Sequence, residues 1–191
     1  MGRFGRCLVL ALAPLMFAGC VAPEVGRDFV ASDLTAPATL RVAVIPFENL
    51  SGYPSAGRIV AELVATELYQ RRVFRLMEAS ELQRREREQN LSDAALGRSM
   101  VAADFARTLG VDAVLLGSVS EYGYQHGLHE EPKVGINLRL VRAGDGTVLW
   151  AASHSDGGRG YLRRETLNAV AQRAVARMVD ALERELAQRG G

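Results

Sequence analysis

The run His126-Gly127-Leu128-His129-Glu130-Glu131 puts two imidazoles and two carboxylates close together, a donor set suited to a divalent metal. A metal held there could activate water for hydrolysis. The spacing is not that of a helical His-Glu-x-x-His pair, and Gly127 and Pro132 favour irregular backbone. We therefore read a solvated polar loop and assign no metal, with a metal-dependent hydrolase using His126 and His129 as the alternative. Tyr122 and Tyr124 precede the run and offer an amphipathic contact patch. The candidate partner-contact residues are thus Tyr122, Tyr124, His126 and His129. Gly157-Gly158-Arg159-Gly160 has the glycine content of an anion-binding loop, but no Lys-Ser or Lys-Thr follows, and a linker is the better reading. Gly117-Ser118-Val119-Ser120-Glu121 fails the Gly-x-Ser-x-Gly elbow. No catalytic residue, cofactor or small-molecule substrate is assigned.

A thiol carries the most specific chemistry. Arg3 and Arg6 form a positive start, Cys7 to Phe17 form an apolar run, and Ala18-Gly19-Cys20 follow. Eleven apolar residues cannot cross a bilayer core, which needs about 20, so the segment reads as a secretory signal. Phe17-Ala18-Gly19-Cys20 has the form of a lipobox, in which small residues admit the lipoprotein signal peptidase and the Cys thiol receives diacylglycerol. Phe17 stands where Leu is usual. Cleavage before Cys20 removes Cys7, and acylation consumes Cys20. The mature chain would then hold no disulfide, no Cys-ligated metal and no Cys nucleophile. At about 0.8 kcal/mol per buried methylene, several acyl chains anchor a protein permanently. Val21 rather than Asp after the Cys favours the outer membrane, with the domain facing the periplasm.

The composition suits an ordinary globular domain. Of 191 residues, 48% are hydrophobic and 24% charged, which argues against disorder. A net charge of +1 lacks the cation surplus that phosphate binding needs, and this excludes a nucleic-acid partner. Residues 1–19 are expected to be the signal, 20–38 a lipidated Cys and aperiodic tether, and 39–191 one domain.

The elements follow from hydrophobic period. Leu40 to Phe47 is a β-branched apolar run, expected as a strand covered on both faces. Ser55 to Arg71 places Ile59, Val60, Leu63, Val64 and Leu68 on one helical stripe, with Ser55 as cap. Val73 to Met77 is a short strand. Ser80 to Gln89 is a charged helix with pairs such as Arg84 and Glu88. Ala102 to Leu109 is a helix closed by Gly110, and Val111 to Val119 is the third strand. Val134, Ile136, Leu138 and Leu140 then alternate with Gly135, Asn137 and Arg139, as expected of a strand with one solvated face. Gly144-Asp145-Gly146 turns the chain into Thr147 to Ser153. A final helix, from about Tyr161 to Gln188, carries Leu167, Ala171, Ala174, Met178, Leu182 and Leu186 on one face and a solvated charged face opposite. The order β-α-β-α-α-β-β-β-α predicts an α/β fold, a mixed sheet of about five strands with helices packed against it.

Three blocks carry a family resemblance: Arg41 to Gly52 (RVAVIPFENLSG), Leu109 to Val119 (LGVDAVLLGSV), and Asn137 to Val141 with Gly144 to Trp150 (NLRLV, GDGTVLW). In this order they resemble the superfamily of the TolB N-terminal domain, the curli-secretion channel lipoprotein CsgG and the synthase-activating lipoprotein LpoB. The resemblance covers residues 40 to 156 and extends to the final helix. It implies the CsgG-like fold, and a binding or assembly module rather than an enzyme, with Pro46, Gly52, Gly110 and Trp150 in structural roles. The pore hairpins of the curli channel need about 9 to 11 alternating residues per strand, which Glu121 to Pro132 does not offer. The expectation is a non-enzymatic, lipid-anchored outer-membrane module that binds an envelope protein, forms a homo-oligomer, or does both. A secretion, appendage or cell-wall complex is its setting. The alternative in the same compartment is an activator of a peptidoglycan synthase.

Overall fold

The computed structural model describes residues 26–89, 99–125, 130–158 and 165–189. Seven strands form one mixed sheet: β1 (Gly26–Val30), β2 (Arg41–Val44), β3 (Glu48–Asn49), β4 (Arg75–Leu76), β5 (Ala113–Gln125), β6 (Glu131–Arg142) and β7 (Val148–Gly157). The spatial order is β1-β7-β6-β5-β2-β4, with β3 also pairing β5. Helix α1 (Ala56–Arg71) and α4 (Leu167–Arg189) cover one face; α2 (Ala79–Gln89) and α3 (Ser99–Leu109) lie on the other. The α/β class, the element order and the five expected strands all stand.

Two cores form because neighbouring residues of the central strands point to opposite faces. Val42, Ala113 and Leu115 join α1 and α4, while Ala43, Val114 and Leu116 join α2 and α3. Parallel pairing of β2 with β5 and of β2 with β4 requires crossovers, which α1, α2 and α3 supply. From α4, Val170, Val175, Met178 and Leu182 are buried in the core, each contributing about 1.5–3 kcal/mol. Trp150 is fully buried there, as expected, and its Nε1 finds no hydrogen-bond partner among the described residues.

Residues 26–38 are not a tether. β1 pairs antiparallel with β7 from Gly26 opposite His154 to Val30 opposite Trp150, and Val30, Ala31 and Leu34 are core residues. Arg189, at the end of α4, donates to the carbonyls of Val30 at 2.9 Å and Ala31 at 2.8 Å. The His154 imidazole is hydrogen-bonded to the Asp28 carboxylate at 2.9 Å. Four of the five residues of β1 are exposed, so its sequence shows no apolar run. The domain thus begins at or before Gly26 rather than at residue 39.

The hairpin of β5 and β6 is also longer than expected. Pairing runs on to Gln125 opposite Glu131, into both ends of the stretch from Glu121 to Pro132, in which no strand alternation is legible. A bulge at Ser120, between the pairs Val119–Ile136 and Glu121–Gly135, adds one residue and reverses the side-chain phase. Val119 and Tyr122 consequently face the same core, and simple alternation is lost.

The helix ends follow known chemistry with two exceptions. Gly110, at φ +67°, closes α3 by donating to Arg107, and Val111 donates to Ala106, both at 3.1 Å. Arg72 closes α1 with the same pair of bonds, to Tyr69 and from Val73 to Leu68, yet holds φ 56° with a side chain. Ser55 makes no capping bond from its side chain, because its own backbone is left-handed at φ 63°; its Oγ accepts from Arg58 instead. Gly57 meets the carbonyl of Phe47, where a Cβ would lie 1.9 Å from the oxygen.

Two stability measurements check this picture. Leu34→Ala should cost about 2–5 kcal/mol in denaturant unfolding, as a core truncation does, whereas a tether residue would cost nothing. Arg72→Gly should raise stability by about 1 kcal/mol by relieving the left-handed strain.

Candidate functional site

Cys20, His126 and His129 lie outside the described residues. Among the described residues, no group of three or more His, Cys, Asp or Glu could hold a metal, and no helix is long and apolar enough to cross a membrane. The two tyrosines separate. Tyr122 is a core residue at 7% exposure, which removes it from a surface contact patch, whereas Tyr124 is 47% exposed. The bulge at Ser120 turns Tyr122 inward. Its ring meets Tyr53 edge-on, with centroids 5.1 Å apart. Burial is the main cause holding the Tyr122 phenol above the usual tyrosine range, reinforced by Tyr53 and Tyr124.

An open concavity of about 410 Å³ lies on the sheet face that carries α2 and α3, over the part these helices leave bare. Strand register builds it. Arg27 pairs with Ser153, Ser153 with Asn137, Asn137 with Ser118, and Ser118 with Glu48, forming a polar row across five strands. Beside it run Phe29, Ala151, Arg139 and Leu116. Ser153 Oγ donates to Asn137 Oδ1 at 2.7 Å, and Asn137 Nδ2 donates to Ser118 Oγ at 3.4 Å. The row is thereby fixed, with a guanidinium at one end and a carboxylate at the other. Phe29 is 55% exposed at the open edge.

Sequence reasoning found half of this face and missed the rest. The solvated side of β6, with Asn137 and Arg139, was legible from alternation. Arg27 and Phe29 were not, because they fell in the supposed tether; the alternating Arg-Asp-Phe-Val was the available signal. The charged face of α4 is also only partly a solvated surface. Arg173 reaches Asp156 at 2.8 Å and Glu165, and Arg177 reaches Asp156 at 3.3 Å, tying α4 to the end of β7. Arg71 of α1 binds Glu183 at 2.8 Å, Asp180, and Glu67 at 2.6 Å. Its bonds to Glu183, Asp180 and Glu67 raise its pKa, so it stays charged wherever the fold survives.

The sequence profile of the family described as curli production assembly/transport component CsgG matches residues 27–188. Among solved structures, the PelC dodecamer from Paraburkholderia phytofirmans aligns at TM-score 0.63 and 23% identity, over 84% of this chain and 97% of that one. Lipoprotein GNA1162 from Neisseria meningitidis aligns at 0.58 and 22%, over 78% and 99%. LpoB from Escherichia coli aligns at 0.50 and 19%, over 64% and 59%. No curated protein sequence matches the chain. At these identities the three structures speak for the fold.

The Tyr122 environment is open to titration. A phenol held above its unfolded pKa lends stability that is complete below that unfolded value and lost as pH rises through the folded one. Tyr122→Phe should therefore keep more of its stability than the wild type above about pH 10, as read from denaturation midpoints across the alkaline range.

Proposed function

The chain belongs to the curli production assembly/transport component CsgG family, and from that premise we propose that it is a non-enzymatic envelope lipoprotein. Acylated Cys20 holds it to the outer membrane, and the domain faces the periplasm. There it binds further copies of itself, or another envelope protein, within a secretion, appendage or cell-wall assembly. The observation that carries this reading is the extent of the family match. Residues 27–188 take in the whole sheet and both helical layers, so the domain as a unit is what the family shares.

PelC of Paraburkholderia was solved as a dodecamer, which makes a second copy the first partner to test. The bare sheet face is the surface suited to such a contact. An exposed aromatic beside two guanidiniums is the composition of an interface centre, and the bonded Asn137 row beneath it is already ordered.

Light scattering of the acylated protein in mild detergent, with intact-mass measurement of the N-terminal peptide, tests both halves of the proposal. We expect diacylglycerol-modified Cys20 and a particle of several copies. Phe29→Ala combined with Arg139→Ala should weaken assembly about 30-fold, the scale of a hot-spot truncation, without shifting the thermal midpoint by more than a few degrees. A monomer that captures no envelope protein after crosslinking would overturn the reading.

A further inference from the structure

The bare sheet face has two unlike halves. Across β1, β7 and β6, register sets Arg27, Ser153 and Asn137 in one row and Phe29, Ala151 and Arg139 in the next. The two arginines stand at opposite corners of this block, with Cα positions about 12 Å apart at two strand spacings and two residues of rise. Only the small residues Ser153 and Ala151 lie between them on β7, so both guanidinium arms have room to converge on one carboxylate above that strand. Neither Arg27 nor Arg139 has an ion-pair partner among the described residues. Asp28, between Arg27 and Phe29 in the chain, turns to the opposite face, where His154 holds it at 2.9 Å.

The other half carries the complement. Four strand spacings along the Arg27 row, about 19 Å away, stands Glu48 of β3, exposed and without an ion pair among the described residues. Leu50 lies two residues further on. Its amide continues the β3–β5 ladder by donating to the Val119 carbonyl at 2.9 Å, which puts it on the same face as Glu48, and it is 59% exposed. One edge of the face thus offers cations beside an exposed ring, and the other a carboxylate beside an exposed aliphatic side chain. Within one chain the two are too far apart to meet, and the bonded Ser153-Asn137-Ser118 row holds them so.

We propose that the occupant of this groove is a second copy of the chain, entering by its β3 edge: Glu48 of one copy sits between Arg27 and Arg139 of the other, and Leu50 packs on Phe29. Charge complementarity selects this occupant. A face that is cationic at one end and anionic at the other attracts a copy of itself placed end against end, and rejects one placed with Arg27 against Arg27. Both halves lie on one face, so the contact is available twice about a two-fold axis or once at each step of a closed ring, with the same residue pairs in either case. The inference rests on the self-association proposed above and names the residues through which it occurs.

The test reverses the charges one copy at a time. Full-length acylated protein carrying Arg27→Glu, and separately Glu48→Arg, would be followed by light scattering in mild detergent over a concentration series. Each variant alone should associate about tenfold more weakly than the wild type, because like charges then face each other across the contact. Mixed in equal amounts, the two should regain the wild-type association, since each reversed residue finds its complement on the other chain. Recovery on mixing separately folded chains is a result that a folding defect does not produce. Wild-type association of either variant alone would overturn the pairing while leaving self-association intact. Weakening of both without recovery on mixing would overturn it too, by placing the contact elsewhere. A wild-type chain that stays monomeric yet captures an envelope protein after crosslinking would overturn this inference and leave the broader proposal standing; a monomer that captures nothing would end both.

Discussion

Successive side chains of β5 must enter different cores, and the architecture depends on meeting that demand. Ala113 and Leu115 need one apolar cover and Val114 and Leu116 another, while the backbone between them is bonded to β2 on one side and β6 on the other. A strand so placed fixes the layers above and below it and the direction of its neighbours. α1 and α4 cover one side over its core residues. α2 and α3 fill the other side only over β2, β5 and the far end of β6. What remains bare is the polar row from Arg27 to Glu48, so the groove results from a long sheet served by two short helices.

The molecule also has two dissimilar ends. One gathers the chain entry, the β5–β6 hairpin, the start of α1 and the end of β7, where Asp156 accepts both Arg173 and Arg177. The other is closed by Arg189, whose guanidinium takes the carbonyls of Val30 and Ala31. Arg71 clamps α1 to α4 between them through Asp180 and Glu183. These ion pairs are partly exposed, and each contributes modestly; their value lies in holding helices to strands at set positions.

Legibility in the sequence tracked burial on both faces. Leu40 to Phe47 and Val111 to Val119 declared themselves as continuous apolar runs, and α4 declared itself by period, because in each the packing demand is written into the residue types. Gly110 and the Gly144-Asp145-Gly146 turn were equally plain, since backbone with positive φ favours glycine. β1 was invisible because an edge strand needs few apolar residues: Val30 alone of its five is buried. The extension of β5 was hidden by the bulge at Ser120, which breaks the two-residue period on which recognition depends. For the same reason Tyr122 read as surface. The left-handed backbone at Ser55 left no trace in residue type, because serine is an ordinary helix cap.

The pairing of β1 with β7 also orders events in time. Gly26 meets His154, a separation of 128 residues, so the first strand to leave the ribosome has no partner until nearly the whole domain has followed it. Closing so long a loop is entropically costly, and contacts of this kind slow folding. Until β7 arrives, the β1 segment stays unpaired, with its hydrogen-bonding edge available to any passing strand. For this fold, the strand that comes first in the chain waits longest for its native neighbour.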